Sequence, residues 1–333
     1  MVSKLTDIKG KVIFLSPLDW GLGHTSRCVP IIESLSENNK VILGITESNI
    51  DFFELHFPQL QKIHMPSYGI RYSKYLPAFF KLILQSPRVF GVIKKENALL
   101  RKLIEDHHIE LVISDGRFGC YSNQVKSIFI THQLNLQVPF FSGMANAINR
   151  KWIQRFNEVW VPDFEEIERR LSGKLSDASR IKTPVFFIGP KSALEKHNAS
   201  DTPETIDTLI LLSGVEPQRS LLEEKLLGSL DDVSTKRIVL VRGSEIEMRV
   251  APQGVEVYNF SYGKKLAELI VRSRRVICRS GYSTLMDLHV LGKKELVLIP
   301  TPGQSEQEYL AEYWAQKFQA KVYRQSEIKK GLF

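Results

Sequence analysis

The chain has 333 residues, 43% of them hydrophobic and 25% charged, so it is long enough for two globular domains and too apolar to be largely disordered. Its formal net charge of +8 predicts an anionic partner, either a membrane surface or a phosphorylated small molecule, and not nucleic acid, whose binding motifs are absent. We find neither a signal peptide nor an apolar run of about 18 residues, and Cys28, Cys120 and Cys278 lack the spacing of a zinc site or a disulfide framework, so we expect a cytosolic protein with buried thiols.

Apolar runs of strand length alternate with helical patterns along the first part of the chain. This alternation is typical of βαβ units around a parallel sheet. Helical patterns cover Ser26–Glu37 and Glu96–His107. The predicted strands are Val12–Leu15, Val41–Ile45, Leu111–Ser114, Ile128–Ile130, Val159–Val161 and Phe186–Ile188. The sequence therefore predicts a Rossmann-like domain over residues 1–190.

The segment DWGLGHTSRCVPIIESL, residues 19–35, follows the first predicted strand. Gly21 and Gly23 allow the backbone to approach a ligand closely, but their spacing matches neither GxGxxG nor GxxxxGK[ST], so a dinucleotide or ATP loop is not predicted. His24 stands at the entrance to a helix that Thr25 or Ser26 can cap. An imidazole there can transfer a proton or hold an anion. A glycine turn with no catalytic function is the alternative.

The segment from Tyr68 to Lys95 is aromatic, apolar and basic. One interpretation is a pair of helices packed on the sheet, with the cations in water. The other is a peripheral surface that docks on anionic lipid. The residues of that second interpretation are Tyr68, Arg71, Lys74, Phe79, Phe80 and Lys81.

Polar side chains follow two of the predicted strands. Asp115 and Arg117 come just after one strand, and His132 and Gln133 follow the next. The carboxyl ends of parallel strands meet at one edge of a sheet, so we expect these residues to converge with His24. Ordinary turn chemistry is the alternative for each of them.

A polar stretch, residues 191–204, has almost no apolar periodicity and predicts an interdomain linker. A second set of predicted strands follows it: Leu209–Leu212, Arg237–Val241, Val255–Tyr258, Val276–Cys278, Leu296–Ile299 and Lys321–Tyr323. The sequence therefore predicts a second α/β domain over residues 205–333, with ligands bound in a cleft between the two domains.

The stretch from Val276 to Ala315 has the most specific pattern in the chain. A predicted strand is followed by small residues and a helix, and a helix N-terminus offers unpaired N–H groups to a diphosphate. One turn into that helix a carboxylate can accept both hydrogen bonds of a ribose diol, and amides after the next strand can bind sugar hydroxyls. The residues predicted to bind in these ways are Arg279, Ser280, Gly281, Ser283, Thr284, Asp287, Gln304 and Gln307.

This stretch resembles the C-terminal domain of GT-B glycosyltransferases, most closely that of the MurG-type enzymes. The residues that match the family pattern are Cys278, Arg279, Ser280, Gly281 and Thr284. The resemblance implies that Asp287 grips the ribose and that Gln307 touches the donor sugar. An asparagine of the family is replaced here by Ala311 or Glu312. The fold that the resemblance implies is α/β, with two Rossmann-like domains facing across a cleft.

The resemblance extends to two loops. Residues 21–24 stand where the family carries G-T-G-G-H, close to the diphosphate and the acceptor. Ser213 and Gly214 match a family loop that covers the phosphates, whereas residues 216–218 depart from it. The first domain is then the acceptor side, with Arg117, His132 and Gln133 as candidate contacts, and the second domain binds the donor.

The expected function is transfer of a sugar from a nucleotide sugar, most simply a UDP-sugar, to an acceptor hydroxyl. Such a reaction needs a base, for which His24 and Asp115 are the candidates, and groups such as Arg279 that stabilise the leaving diphosphate. Enzymes of this kind commonly invert the anomeric centre without a metal, and no DxD motif occurs, so we expect neither metal nor cofactor. The family's acceptor is lipid-linked, which implies a cytoplasmic protein peripheral to the inner face of the membrane.

Two other functions fit the same residues. A nucleotide-sugar hydrolase of this fold would release the sugar without any acceptor, and one bacterial enzyme of that kind also carries a G-x-G-H loop. A non-catalytic nucleotide-sugar-binding protein would bind UDP without turnover and would tolerate loss of His24.

Overall fold

The computed structural model describes residues 5–69, 78–197, 203–230, 236–244, 246, 248 and 253–330. The chain divides into two compact units, and the boundary falls between Ser192 and Ala193, inside the stretch that the sequence predicts as a linker. Each unit is built around one parallel sheet. The α/β class predicted from the alternating pattern is confirmed.

The first unit contains a seven-stranded sheet with the order β3-β2-β1-β4-β5-β6-β7. Its strands are β1 (Val12–Pro17), β2 (Lys40–Ile45), β3 (Gln61–His64), β4 (Leu111–Asp115), β5 (Lys126–Ile130), β6 (Glu158–Val161) and β7 (Val185–Phe187). Five of the six predicted strands lie inside observed ones, and the predicted strand at 186–188 overlaps β7. The sequence missed β3, because this edge strand is only partly buried and has a single aliphatic residue, Ile63.

The helices of the first unit are α1 (Leu22–Ser36), α2 (Ile50–His56), α3 (Ala78–His107) and α4 (Ser142–Ile153). Helix α1 begins earlier than predicted: its N-cap is Gly21, with φ 82° and ψ 174°, and not Thr25 or Ser26. A glycine is required there because other residues do not adopt this conformation without strain. Helix α3 has 30 residues, so the predicted helical segment from Ala78 onward is one long helix; residues 70–77 of the predicted pair lie outside the described residues.

The second unit contains a six-stranded sheet with the order β10-β9-β8-β11-β12-β13. Its strands are β8 (Ile206–Leu211), β9 (Ile238–Val241), β10 (Val255–Tyr258), β11 (Ser273–Cys278), β12 (Leu296–Leu298) and β13 (Lys321–Val322). Its helices are α5 (Gln218–Ser229), α6 (Gly263–Val271), α7 (Tyr282–Val290) and α8 (Ser305–Phe318). All six predicted strands are found. The central strands β8 and β11 each have polar residues in their first half and end in a buried apolar run, residues 209–211 and 276–278, as expected where both faces of a sheet are covered.

Each sheet has one point at which the strand order reverses direction. In the first unit this point lies between β1 and β4, and in the second it lies between β8 and β11. Ligands of open parallel sheets bind beyond the carboxyl ends of the strands at such a point. The topology therefore marks two places for polar side chains, and the predicted site residues follow these strands or the adjacent strands β5 and β12.

The described part of the chain contains no helix that combines the length and the apolarity needed to span a bilayer. All three cysteines are free and buried, as predicted.

Candidate active site

The first polar cluster lies where β1 and β4 end side by side. Pro17 of β1 is in register with Asp115 of β4, and the Leu18 N–H donates to the Asp115 carbonyl at 2.7 Å. The chain then turns through Gly21 into α1, which places His24 in the first helical turn. His24 and Asp115 are thus brought together at the reversal point of the sheet.

His24 and Asp115 form a pair in which one partner reaches solvent. His24 Nδ1 lies 3.1 Å from Asp115 Oδ1; the histidine side chain is 22% exposed, and the aspartate is fully buried. Burial lowers the pKa of His24, the nearby Arg27 lowers it further, and Asp115 acts in the opposite direction. His24 is therefore neutral at neutral pH and can accept a proton.

Arg27 connects this pair to a third polar residue. Its Nε donates to Asp115 Oδ2 at 2.7 Å, its Nη2 lies 2.9 Å from His24 Nδ1, and its Nη1 lies 3.2 Å from His132 Nδ1. The sequence reasoning missed Arg27, although three residues after His24 on a helix is the spacing that puts two side chains on one face. Arg27 fixes both the charge and the orientation of the cluster.

Asp115 does not have the surroundings of a general base. Burial disfavours its ionised form, but Arg27 and His24 outweigh this effect and hold its pKa well below the usual range. The Cys28 thiol also lies 3.3 Å from Oδ2. Asp115 has no solvent exposure and several hydrogen-bond partners, so it is placed to orient His24 and not to take a proton from an acceptor. Of the two candidate bases, His24 is the one that fits the structure.

Arg117 and Tyr68 belong to a buried network and not to an open surface. Arg117 Nε donates to the Pro17 carbonyl at 2.7 Å, and its Nη1 lies 2.5 Å from Glu96 Oε1. The Tyr68 hydroxyl donates to Glu96 Oε2 at 2.7 Å. Both side chains are buried, which corrects the predictions of Arg117 as an acceptor contact and of Tyr68 as a membrane contact.

The other predicted acceptor residues follow β5. His132 is buried against Arg27, so it supports the cluster and does not present a ring to solvent. Gln133 is half-buried; its N–H donates to the Thr131 hydroxyl, and its carbonyl accepts from Asn149. Gln133 therefore remains a candidate contact through its side chain.

Gly116 packs closely against the histidine. It has φ 78°, and a Cβ built on it would lie 3.1 Å from His24 Cε1 and 3.2 Å from Leu18 Cβ. Any larger residue would be strained and would press on the imidazole. The glycine that follows Asp115 is thus part of what fixes the ring position.

The second polar cluster lies at the carboxyl edge of the other sheet. Ser213 and Gly214 follow β8, residues 279–281 follow β11, and Gln304 and Gln307 follow β12. These strands are neighbours in the sheet, so the structure brings the predicted donor residues of the second unit to one edge.

Three of these residues, Arg279, Ser280 and Gln307, form hydrogen bonds within the second unit. Arg279 is buried and donates to the carbonyls of Ile299, Pro300 and Gln218 and to Gln325 Oε1. The Ser280 hydroxyl donates to the Gln307 carbonyl, and Gln307 Oε1 accepts the Thr301 N–H. This corrects the prediction that Arg279 contacts the diphosphate, and it makes Arg279 and Ser280 residues that hold the binding loops in place.

Helix α7 presents its N-terminus at this edge. Gly281 is the N-cap, with no side-chain cap, and Ser283 and Thr284 lie in the first turn and not at the cap position that the sequence predicts. Asp287 is half-buried one turn later, and Gln304 is the N-cap of α8. An N-terminus of this kind carries N–H groups and a positive dipole end suited to phosphate.

The structure does not describe the side chains of the other five residues that the sequence predicts to contact a membrane. Arg71 and Lys74 lie outside the described residues, and so do the side chains of Phe79, Phe80 and Lys81.

Residues 209–332 match the family described as Glycosyltransferase family 28 C-terminal domain. No curated protein sequence matches the chain. The matched region contains the whole second cluster, from Ser213 to Gln307. It supports a glycosyltransferase, which confirms the enzyme class predicted from the sequence.

Solved structures of glycosyltransferases share the fold over nearly the whole chain. The glycosyltransferase of kitacinnamycin is 13% identical, with a TM-score of 0.68, and the match covers 96% of this chain and 88% of that one. UGT89C1 of Arabidopsis thaliana, complexed with UDP-L-rhamnose, is 11% identical, with a TM-score of 0.61 and coverage of 96% and 86%. MurG of Acinetobacter baumannii is 12% identical, with a TM-score of 0.53 and coverage of 95% and 86%. The predicted GT-B fold is confirmed.

Proposed function

We propose that this chain, a GT-B protein with a family 28 C-terminal domain, is an inverting glycosyltransferase in which His24 is the general base. The observation that carries the proposal is the pairing of a partly exposed, neutral imidazole with a fully buried carboxylate at 3.1 Å. The pair stands at the reversal point of the first sheet, where ligands of such sheets bind. A binding protein without catalysis has no need for a histidine held in this way.

The proton chemistry depends on the tautomer of His24, because Nδ1 lies near both Asp115 Oδ1 and Arg27 Nη2. We propose the tautomer in which Nδ1–H donates to Asp115, so that the lone pair of the neutral ring is on Nε2, which accepts the proton of the acceptor hydroxyl. The hydroxyl oxygen forms a bond to the anomeric carbon from the face opposite the diphosphate, and the bond from that carbon to the diphosphate oxygen breaks. The products are an inverted glycoside and a free nucleoside diphosphate. The imidazolium that forms is stabilised by Asp115.

The nucleotide is assigned to the carboxyl edge of the second sheet. Backbone N–H groups at the start of α7 and in the Ser213-Gly214 loop are suited to the diphosphate, and Asp287 to the ribose. Gln304 is the side-chain candidate for the sugar. The UDP-L-rhamnose bound to the plant relative supports a UDP-sugar as the donor. We propose no metal in this step.

The acceptor is proposed to be a hydroxyl of a lipid-linked or cell-envelope glycan precursor. The MurG-like character of the chain supports it, and so does the net charge of +8, which favours attraction to anionic lipid. The enzyme would then work in the cytoplasm, at the inner face of the membrane.

The proposal is tested by turnover and by nucleotide binding measured on the same samples. Removing a general base costs about 10²–10⁴-fold in rate, so His24→Ala should lose kcat to at least this extent while its Kd for UDP, measured by calorimetry, stays within about twofold. His64→Gln, at an exposed position on β3, is the matched control and should retain full activity. An active His24→Ala variant would overturn the proposed role.

The assay also separates the alternatives. A panel of UDP-sugars is incubated with and without lipid-linked acceptors, in the presence and absence of EDTA. Acceptor-dependent transfer that EDTA leaves unchanged is expected. Stoichiometric sugar release without acceptor would instead indicate the hydrolase, and UDP binding without turnover would indicate a binding protein.

A further inference from the structure

Two adjoining grooves open on the first unit beside helix α3. The walls of one, of about 400 Å³, carry three cations: Lys94, Arg101 and Arg155. The other, of about 300 Å³, is lined by side chains with amides and hydroxyls: Asn97, Tyr121, Ser122, Asn123 and Gln124. Because Asn97, Arg101 and Tyr121 line both grooves, we call the two together the α3 groove.

The cations of the α3 groove have no carboxylate to pair with. Among the described residues, none of Lys94, Arg101 and Arg155 takes part in an ion pair. The segments that line the groove are residues 93–101, 121–124 and 152–155. They contain one acidic residue, Glu96, which is buried and paired with Arg117. The positive charge of the groove is therefore available to a bound anion.

Aromatic rings hold Arg155 in one orientation. Its guanidinium carbon lies 4.0 Å from the centroid of the Trp152 ring and 5.2 Å from that of the Tyr121 ring. Trp152 in turn stacks on Phe90, with 5.9 Å between the ring centroids. The rings are thus occupied in positioning a guanidinium, whose planar fork matches the oxygens of a phosphate. The groove is built to bind an anion and not an aromatic ligand.

The second half of the groove is suited to hydroxyl groups. Asn123 and Gln124 are exposed there, and a side-chain amide both donates and accepts hydrogen bonds, as the hydroxyls of a sugar require. The two volumes are in the range of sites for small molecules. Cations beside amides therefore favour a ligand that carries a phosphate at one end and several hydroxyls at the other.

The α3 groove lies at the edge of the first sheet opposite to His24. Residues 122–124 come just before β5, and Arg155 comes just before β6, whereas the His24 cluster follows the carboxyl ends of β1 and β4. The five residues of β5 span about 16 Å. A ligand in the groove is therefore separate from a substrate at the histidine.

The groove nevertheless shares a segment of chain with the histidine cluster. Asn97 Nδ2 donates to the carbonyls of Gly119 and Tyr121 at 3.0 and 2.8 Å. The same segment begins after β4 at Gly116, which packs closely against His24. A ligand bound against Tyr121 therefore stabilises the segment that fixes the imidazole.

We propose that the α3 groove binds a soluble sugar phosphate and that this ligand is an effector of the enzyme. The phosphate is bound by Lys94, Arg101 and Arg155. The hydroxyls are bound by Asn123 and Gln124. The binding site does not depend on the proposed function, whereas the effect on turnover rests on it. A lipid headgroup shares the phosphate ester and the hydroxyls, and glycerol 3-phosphate represents that source in the experiment.

The experiment is calorimetry of the full chain with glucose 6-phosphate, glucose, inorganic phosphate and glycerol 3-phosphate. Glucose 6-phosphate should bind most tightly, because it alone occupies both halves of the groove. Lys94→Gln/Arg101→Gln should weaken its binding at least about tenfold, since hydrogen bonds to charged groups are lost. Arg155→Lys should weaken it too, because lysine keeps the charge and loses the planar fork.

A second variant tests the half of the groove that is assigned to the sugar. Asn123→Ala/Gln124→Ala should weaken binding of glucose 6-phosphate about threefold or more and leave the Kd for inorganic phosphate within about twofold. Equal weakening of both ligands, or glycerol 3-phosphate binding as tightly as glucose 6-phosphate, would overturn the assignment to a sugar phosphate.

The matched control is Arg180→Gln/Lys182→Gln, which removes one arginine and one lysine at other exposed positions of the first unit and should bind like the wild type. Lys94 and Arg101 are themselves exposed, so their variant should fold, and thermal unfolding checks this. Saturating UDP should leave the Kd for glucose 6-phosphate unchanged. No binding by the wild type, equal loss in the control, or competition by UDP would each overturn the site.

Turnover tests the role of the ligand as an effector. Saturating glucose 6-phosphate should raise kcat of the wild type at least about fivefold, a usual coupling between two sites, and should not change kcat of Lys94→Gln/Arg101→Gln. Binding without any change in kcat would overturn the effector role. A chain that transfers no sugar under any condition would contradict the proposed function, and the calorimetric result would still decide the binding site.

Discussion

At the scale of single residues, burial and the almost completely buried guanidinium of Arg27 both lower the pKa of His24. Arg27 bonds to Asp115 through two nitrogens and also reaches Nδ1 of His24. Its positive charge disfavours the imidazolium, whereas Asp115 favours it. In the proposed mechanism, Arg27 would therefore help to keep His24 unprotonated between turnovers, and it would hold the carboxylate that stabilises the protonated ring during turnover.

Arg27→Gln should change the pH dependence of the enzyme in a defined direction. Burial and Arg27 place the His24 pKa below 6.5 in the wild type, so activity should persist to lower pH than for an ordinary histidine. Without Arg27 the lowering by its charge disappears and Asp115 still raises the pKa, so the acid limb of kcat/KM should move to higher pH. NMR titration of the His24 ring measures the same shift directly.

The same substitution should destabilise the fold, because it leaves the buried Asp115 charge without its main partner. The expected cost is about 3–5 kcal/mol. Arg237→Gln is the control, since it breaks an exposed pair with Glu256 that is worth about 0–1 kcal/mol. If both variants unfold at the same denaturant concentration, or if the pH profile of Arg27→Gln is unchanged, the role of Arg27 is wrong.

At the residue scale, the sequence could indicate which residue types suit the chemistry, but it could not show which of them are buried. His24 was singled out because an imidazole stands after a glycine loop, and the structure places it 3.1 Å from Asp115; its role as a base stays a prediction. Arg279 was misread, because a motif records that an arginine is present and not which way it points. In the structure its guanidinium donates hydrogen bonds to three backbone carbonyls and to one side-chain amide oxygen.

At the scale of elements, the start of α1 decides where His24 stands. The N-cap Gly21 has φ 82° and ψ 174°, a region open essentially to glycine alone. With no side-chain cap, this glycine sets the first turn of the helix. A shift of the first turn moves the imidazole away from Asp115.

Gly21→Ala should therefore lower both stability and kcat. Strain of this kind costs about 1–3 kcal/mol, and the misplaced ring should reduce turnover while the Kd for UDP is unaffected. Gly228→Ala is the matched control, because Gly228 is exposed inside α5 with no atom near its Cβ position. It should raise the free energy of unfolding by about 0.5–1 kcal/mol, measured by urea denaturation, without changing kcat. A Gly21→Ala variant with normal kcat would show that the helix start does not position the base.

Elements with continuous apolar runs were predictable because burial of both sheet faces leaves little room for polar residues. The first residues of helices α1 and α7 were not predictable in this way. Thr25, Ser26, Ser283 and Thr284 all have side chains that can cap a helix, yet the N-cap residue of both helices is a glycine. Local capping preference is about 1 kcal/mol, which tertiary packing easily exceeds.

At the scale of the whole molecule, the two units have separate tasks in the proposed reaction. The base belongs to the first unit, and the nucleotide-binding groups belong to the second. Variants in the first unit should then lower kcat, and variants in the second unit should raise the Kd for UDP.

Asp287→Asn should raise the Kd for UDP about tenfold or more, since hydrogen bonds to a charged group are worth about 1.5–3 kcal/mol, and His24→Ala should leave it nearly unchanged. UDP should raise the thermal midpoint of His24→Ala as it does that of the wild type, and raise it less in Asp287→Asn. Calorimetry and thermal unfolding measure these effects. A variant pattern in which His24→Ala loses UDP binding and Asp287→Asn keeps it would reverse the assignment.

The α/β class of both units could be predicted because strand and helix patterns alternate along the chain, and the GT-B fold could be predicted from the resemblance of the second domain to a known family. The sequence could not show which polar residues form buried contacts within the protein. Such contacts join residues far apart in the chain, as Glu96 and Arg117 are, 21 residues apart. Long-range burial of charge is set by the assembled fold and leaves little trace in a local pattern.

The Cys28 thiol gives the carboxyl end of the first sheet an internal reporter. Burial, reinforced by Asp115, raises the pKa of Cys28 well above that of a free thiol, so in the native fold it is protonated and shielded. Alkylating reagents attack thiolates, and we expect them to reach this sulfur only when the packing of α1 against β4 opens locally. The rate of Cys28 labelling, followed by mass spectrometry, should therefore measure how often the surroundings of His24 and Asp115 open in the native protein.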